Sequence, residues 1–129
     1  MAVPMRKLPQ IYIEKKTGNH VHNCGLVVNP TFPCIAASPD GKVCENGITG
    51  LLEVKCPYSI RDMKINSALD INNQKDFHLH REGGSIVLKK KHLYWFQVQG
   101  QLLVTGAPFC DFVTYTRQDL VIERIFHVN

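Results

Sequence analysis

The chain has 129 residues and a formal net charge of +4 at pH 7. Its 44% hydrophobic and 20% charged residues are typical of a globular protein with one modest core. No apolar run approaches the roughly 20 residues of a membrane helix, and residues 1–10 lack the apolar stretch of a secretory signal. We therefore expect an intracellular protein of the cytoplasm or nucleus, without a membrane partner, whose mild positive charge permits a polyanionic ligand.

The first half of the chain is predicted to be mainly strands and turns. Residues 1–16 have no convincing period, and a turn is predicted at Thr17-Gly18-Asn19. Apolar runs predict strands over residues 21–28 and 34–37. Asn46-Gly47 is a strong hairpin signal, and a strand over residues 50–57 follows, closed by Pro57.

The second half mixes helices and strands. Residues 59–69 can form a helix with Ser59 as its N-cap, followed by a loop over residues 70–76. The segments 77–80 and 85–88 flank a Gly-Gly turn and predict a hairpin, on which His78 and His80 are expected to be exposed. Two further strands, 109–116 and 120–128, are predicted to pair antiparallel through a turn at residues 117–119.

The segment 92–105 is the best helix in the chain and is stopped by Gly106. Apolar residues recur at helical intervals: Leu93, Phe96, Gly100, Leu103 and Val104. Tyr94, Gln97 and Gln101 form a second, polar stripe, whereas Gln99 points elsewhere. The polar stripe is either a solvent face or, because Trp95, Phe96 and Leu102 predict burial, a set of inward amides that need partners. Lys91 and His92 would add charge at the helix start.

The residues that predict chemistry lie between the two halves. Pro39 and Gly41 define a turn that presents Asp40, and Glu53 and Lys55 follow on one face of the strand 50–57. Two carboxylates can hold a hard cation such as Mg²⁺, and the lysine can position or deprotonate a water, which suits metal-assisted phosphodiester hydrolysis. A bare Glu-x-Lys would be a surface ion pair; the upstream Asp40 turn favours a site.

Cysteines and histidines offer a weaker metal hypothesis. The cysteines, an odd number without a Cys-x-x-Cys pair, predict no disulfide framework: Cys24, Cys34, Cys44, Cys56 and Cys110. His20, His22 and Cys24 would share a face of a strand, but their spacing does not match the common structural zinc patterns. A small zinc-binding protein is therefore the least favoured interpretation.

Three motifs together carry a resemblance to a known family. Ser38-Pro39-Asp40-Gly41, the segment 50–57 and Tyr94-x-x-Gln97-Val98-Gln99 resemble the lambda exonuclease / YqaJ-type viral recombinase group of the PD-(D/E)XK nuclease superfamily. The similarity spans roughly residues 20–128, in the order of the family. It implies an α/β (α+β), restriction-endonuclease-like core with a mixed β-sheet flanked by helices, over residues 20–129 after an N-terminal extension of residues 1–19.

The resemblance also implies a function. Members are typically Mg²⁺-dependent exonucleases, with Mn²⁺ as a substitute, that digest one strand of linear duplex DNA in the 5′ to 3′ direction during recombination, repair or viral DNA processing. By motif match, Asp40, Glu53 and the Val54 carbonyl would bind metal, Lys55 would activate the water, and Gln97 would orient water or substrate. Candidate substrate contacts are Ser38, Lys91, His92, Tyr94 and Gln101, and the lysine runs 15–16 and 89–91 are candidate DNA-backbone contacts.

One departure from the family leaves an alternative open. Complete members carry an upstream helical region that supplies a further acidic residue, and the context of Glu14 does not reproduce that motif. We therefore expect an N-terminally short relative, or a missing layer supplied by a partner chain or by a ring-type homo-oligomer. The alternative function is a weak or inactive DNA-binding accessory module of recombination.

Overall fold

A five-stranded mixed sheet forms the centre of the computed structural model, which describes residues 8–23, 27–28, 36–37, 39–71 and 77–128. The elements in chain order are α1 (Leu8–Thr17), β1 (His20–Asn23), β2 (Val27–Val28), β3 (Ala36–Ala37), β4 (Gly41–Glu45), β5 (Ile48–Lys55), a 3-10 turn (Tyr58–Ile60), α2 (Ile65–Ile71), β6 (Leu79–Glu82), β7 (Ser85–Leu88), α3 (Leu93–Thr105), β8 (Cys110–Tyr115) and β9 (Leu120–Ile125). The predicted mixed α/β architecture is confirmed.

The strand order is β1-β4-β5-β8-β9, and only the central β5–β8 pair is parallel. The parallel register runs from Leu51 opposite Cys110 to Lys55 opposite Thr114. A parallel pair needs a long crossover, and the chain between β5 and β8 supplies it with α2, the β6–β7 hairpin and α3. The carboxyl ends of β5 and β8 therefore lie at the same edge of the sheet.

The two faces of β5 pack on different layers, as the predicted alternation requires. Leu52 and Val54 join Ile13 of α1 in one hydrophobic cluster. Leu51 joins Val98 and Leu102 of α3, with Phe112 of β8, in the other. Because Glu53 is two residues from Leu51 in the same strand, its side chain lies on the same face, the α3 side of the sheet.

Several local predictions are confirmed. Asn46 and Gly47 both have positive φ, at 50° and 80°, as the tight turn between β4 and β5 requires. The helix predicted over residues 92–105 is α3, and Gly106, with φ of 69°, ends it in the left-handed conformation. The two final strands pair antiparallel. The expected absence of a disulfide framework stays a prediction, because Cys44, Cys56 and Cys110 are free thiols but Cys24 and Cys34 lie outside the described residues.

The helix predicted over residues 59–69 is correct only over residues 65–69. Ser59 lies inside the 3-10 turn and caps no helix, and α2 begins only at Ile65 and extends through Ile71 into the predicted loop. The physical reason is a distant cap: the backbone N–H of Ile65 donates to Asp119 Oδ1, 3.1 Å away, from the β8–β9 turn. Residues 72–76 of that loop lie outside the described residues.

The ends of the chain and the strand ranges also differ from the prediction. The first sixteen residues showed no period, yet residues 8–17 form α1, whose Ile13 is buried. The predicted strand 21–28 appears as β1 and β2, with residues 24–26 outside the described ranges, and 34–37 as β3 alone, with residues 34–35 outside them. The first hairpin arm is β6 rather than residues 77–80. In the described ranges, no helix is long and apolar enough to cross a membrane.

Candidate active site

Asp40 immediately precedes β4 and is held against β5 beyond the last β4–β5 pair. The last β4–β5 pair on this side is Gly41 opposite Leu52, so the next three residues of β5 extend past their neighbour. The Val54 N–H therefore needs another acceptor, and Asp40 Oδ2 accepts its hydrogen bond at 2.8 Å. The turn predicted to present Asp40 thus docks its carboxylate on the strand that carries Glu53.

Glu53 points into the space between β5 and α3, and only 3% of it is exposed. Gln97 Nε2 donates to its Oε2 at 3.2 Å, and Gln101 Nε2 donates to its Oε1 at 3.3 Å. Lys55 Nζ lies 3.4 Å from the same Oε2. Both amides of the polar stripe of α3 therefore point towards Glu53, with Gln101 buried and Gln97 at the exposed rim.

The electrostatics of Glu53 favour a cation beside it. Burial raises the pKa of the Glu53 carboxyl, and the nearby Asp40 carboxylate raises it further. The Lys55 ammonium and the hydrogen bond from Gln101 lower the pKa of Glu53 without cancelling those effects. Two close carboxylates in a partly desolvated site are stabilised when a positive charge binds between them.

Lys55 is fixed from several directions, and its side chain is only 14% exposed. Besides its ion pair with Glu53, its Nζ donates to Gln97 Oε1 at 3.1 Å. The same Nζ lies 4.3 Å from the centroid of the Tyr94 ring. The predicted residues Glu53, Lys55, Tyr94, Gln97 and Gln101 are therefore in one continuous contact network, while their roles remain predictions.

His78 is a member of this cluster that sequence reasoning missed. It was expected to be exposed, but it is 4% exposed, and its Nε2 lies 2.9 Å from Thr114 Oγ1. The prediction was wrong because β6 begins two residues later than the predicted arm, and the His78 side chain packs against Thr114 and the rings of Tyr94 and Phe112. Burial, then His92, Lys55 and Lys89, lower the pKa of His78 to about 4, so it is neutral at neutral pH.

The remaining predicted residues have varied positions. His92 caps α3, because its Nδ1 accepts from the Tyr94 N–H at 3.0 Å. Lys91 is exposed, and among the described residues no hydrogen bond or ion pair joins it to Glu53 or Lys55. Gln99 indeed points elsewhere, to the backbone of residues 126 and 128. Ser38 lies outside the described residues.

A second buried carboxylate, Asp111, has a different environment. Arg124 donates to its two oxygens at 2.8 and 3.0 Å, pairs with Glu45 as well, and stacks 3.8 Å from the centroid of Phe109. Hydrogen bonding by Asp111 raises the pKa of Arg124, which keeps the guanidinium charged. A carboxylate fully matched by a guanidinium is a structural ion pair, in contrast to Glu53 with its amides and lysine.

The zinc hypothesis gains no support from the described residues. His20 and His22 have stacked rings 6.2 Å apart, and Cys24 lies outside the described ranges. No group of three or more His, Cys, Asp or Glu residues in those ranges could hold a metal ion. Glu14, which was left out of the predicted site, accepts from the Val21 N–H at 3.1 Å and ties α1 to β1.

The mixed sheet, with Asp40 and Glu53 where β5 extends past β4, defines the class as an α/β fold, and comparison with known proteins identifies the family. The family model of the YqaJ-like viral recombinase domain matches residues 9–108. The chain belongs to this family, as its motifs predicted.

The chain is also similar to individual proteins of viruses and bacteria. An uncharacterised protein of Acanthamoeba polyphaga mimivirus is 36% identical over 69% of this chain and 15% of its own length. The alkaline nuclease of Autographa californica nuclear polyhedrosis virus is 26% identical over 94% of this chain and 31% of its own. The crystal structure of an alkaline exonuclease from Laribacter hongkongensis matches with a TM-score of 0.59 and 25% identity, over 99% of this chain and 61% of that chain. The chain thus spans less than a third of the curated relatives it matches.

Proposed function

We propose that this chain carries the catalytic centre of a metal-dependent deoxyribonuclease that degrades linear duplex DNA from its ends, in the 5′ to 3′ direction. The observation that carries the proposal is the buried Glu53, which shares a network with Lys55 and Gln97 beside the docked Asp40. Similarity to proteins named alkaline nuclease and alkaline exonuclease supports the same activity.

The donor set suits a hard divalent cation. Asp40 and Glu53 offer carboxylate oxygens, and Mg²⁺ commonly binds through one or two carboxylates while keeping several waters. The N–H and C=O of one strand residue point to the same edge, so the Val54 carbonyl faces the edge where its N–H meets Asp40. These three groups would hold Mg²⁺, with Mn²⁺ as a substitute. The bound ion would polarise the scissile phosphate and lower the pKa of a water.

The other residues have roles that their contacts support. Lys55, beside Glu53 Oε2, is in position to orient the attacking water or to neutralise charge on the phosphate. Gln97 donates to Glu53 and accepts from Lys55, so it keeps the carboxylate and the ammonium in a defined relation. Gln101 holds the other oxygen of Glu53 from a buried position.

The test is cleavage of end-labelled linear duplex DNA, compared with closed circular DNA, in Mg²⁺ or Mn²⁺. We expect the wild type to degrade only the linear substrate, and Asp40→Asn, Glu53→Gln and Lys55→Met each to reduce the rate by about 10²-fold or more. Glu82→Gln, in the exposed β6–β7 hairpin, is the matched carboxylate control and should cleave normally. Labels at the 5′ or 3′ end distinguish the polarity.

Two results would contradict the proposal. Cleavage that persists in Glu53→Gln would remove Glu53 from the site. A folded wild type that binds duplex ends without cutting them in either metal would instead identify a binding module.

A further inference from the structure

We propose that Tyr94 is a positioning residue for Lys55, and that it acts through the face of its ring rather than through its hydroxyl. This inference rests on the proposed function, because it concerns how the lysine of that site is held. It differs from a direct substrate contact, which was the expectation from the sequence.

The contact itself has the geometry of a cation–π interaction. Lys55 Nζ lies 4.3 Å from the ring centroid, within the roughly 6 Å at which an aromatic face attracts an ammonium. With 14% of its side chain exposed, Lys55 is largely desolvated, which strengthens the attraction. The contact that Tyr94 makes with Lys55 is therefore through the face of its ring.

The Tyr94 ring is in turn fixed by three other rings. Its centroid lies 4.5 Å from that of His92, 5.2 Å from that of His78 and 6.2 Å from that of Phe112. These neighbours come from the N-cap of α3, the residue before β6, and β8. Because separate elements hold the ring, its orientation is set by the fold and not by the helix alone.

The same sheet register places the ring beneath the lysine. His78 is bonded to Thr114, and Thr114 lies opposite Lys55 in the parallel β5–β8 pair. A neutral His78 supports the ring without adding a positive charge next to the ammonium. The stacked rings therefore direct the Lys55 Nζ towards Glu53 and Gln97. Without the rings, these two residues alone would have to hold the long, flexible lysine side chain.

The experiment compares Tyr94→Phe with Tyr94→Leu. A proton above an aromatic face resonates upfield, so we expect the ε-methylene protons of Lys55, assigned by Lys55→Arg, to be shifted upfield in wild type and Tyr94→Phe but not in Tyr94→Leu. We expect Tyr94→Phe to cleave within about twofold of wild type, and Tyr94→Leu to lose about tenfold in kcat with little change in KM.

Tyr58→Leu is the control for the loss of a cation–π contact elsewhere, and Tyr94→Met is the substitute if Tyr94→Leu does not fold. Tyr58 is 75% exposed and carries Arg61 over its ring at 3.8 Å, so Tyr58→Leu removes a comparable contact away from the site and should leave both readouts unchanged. If Tyr94→Leu does not fold, Tyr94→Met replaces it, with the same expectations.

Three outcomes would overturn the inference. The first is a Tyr94→Phe variant as defective as Tyr94→Leu, which would assign the role to the hydroxyl. The second is an unshifted Lys55 resonance in the wild type, and the third is undiminished cleavage by Tyr94→Leu. Failure of the wild type to cleave would overturn the proposed function instead, and the NMR comparison would still test the contact.

Discussion

Glu53 is a buried carboxylate whose surroundings disfavour its own negative charge. Burial and the neighbouring Asp40 both disfavour its ionised form, although Lys55 and two glutamine amides accompany it. Such groups with raised pKa values are typical of functional sites, where stability is given up for reactivity. Asp111 differs from Glu53 because its carboxylate is matched by the guanidinium of Arg124.

The raised pKa of Glu53 makes stability depend on pH. The folded state binds the proton more tightly than the unfolded state, whose glutamate titrates near 4.5, so the wild type loses stability as pH rises from there through the folded-state pKa. Glu53→Gln lacks this loss. We therefore expect the two proteins to differ little at pH 4, and the variant to be the more stable at pH 8, in urea unfolding.

Comparison between the two proteins isolates Glu53, because His78 and the other titrating groups are common to both. Adding Mg²⁺ should stabilise the wild type at pH 8 and leave Glu53→Gln nearly unaffected, since a ligand that binds only the folded state raises its stability. A variant that is less stable than the wild type at pH 8 without metal would show that the Lys55 pair outweighs the cost of burial.

At the scale of elements, α3 shows why periodicity alone could not orient a helix. Two stripes have helical spacing, one apolar and one polar. Leu93, Phe96 and Leu103 of the apolar stripe are 80%, 62% and 67% exposed, so the expected burial of Phe96 was wrong. The polar stripe turns inward because Glu53 needs hydrogen-bond donors, and leaving a buried carboxylate without them costs more than exposing a few apolar side chains.

Two glycines of α3 give a matched test of its boundaries. Gly100 lies in the helix interior with open space around a would-be Cβ, so Gly100→Ala should stabilise the protein by about 0.5–1 kcal/mol. Gly106 has φ of 69°, where a Cβ is strained, so Gly106→Ala should destabilise it by about 1 kcal/mol. Urea unfolding of both variants checks the signs, and shifts in the same direction would contradict the assigned end of α3.

At the scale of the whole molecule, the parallel β5–β8 pair organises one edge of the sheet. Lys55 ends β5, and the turn after β8 lies at the same edge. On the α1 side, this turn and the end of α1 enclose a cleft of about 490 Å³, whose lining includes Lys15, Lys16 and Arg117. Arg117 is paired with Asp62, so the two lysines are the candidate contacts for the DNA of the proposed function.

Charge removal in this cleft should weaken DNA binding. The double variant Lys15→Gln/Lys16→Gln should lower affinity for duplex DNA and reduce the slope of log K against log salt by about 1–2, because fewer counterions are released. Ile48→Glu/Thr49→Glu changes the net charge by the same −2 at the opposite end of β5 and is the control. Equal losses in both variants would indicate a net-charge effect and not a contact.

The sequence by itself determined the features that depend on neighbouring residues. The alternation that puts Glu53 and Lys55 on one face, the Asn46-Gly47 hairpin and the range of α3 all follow from local backbone geometry. The family motifs extended this to Asp40 and Gln97, whose contacts with Val54 and Glu53 join segments far apart in sequence.

Only the tertiary structure decided which groups meet across elements. Asp119 caps α2 from a distant turn, His78 is buried beneath Tyr94, and α3 turns its amides rather than its apolar stripe towards the sheet. Each outcome depends on the partner that the fold brings to a polar group from a distant element. Hydrophobic periodicity contains no information about such partners, so these contacts could not be predicted from the sequence alone.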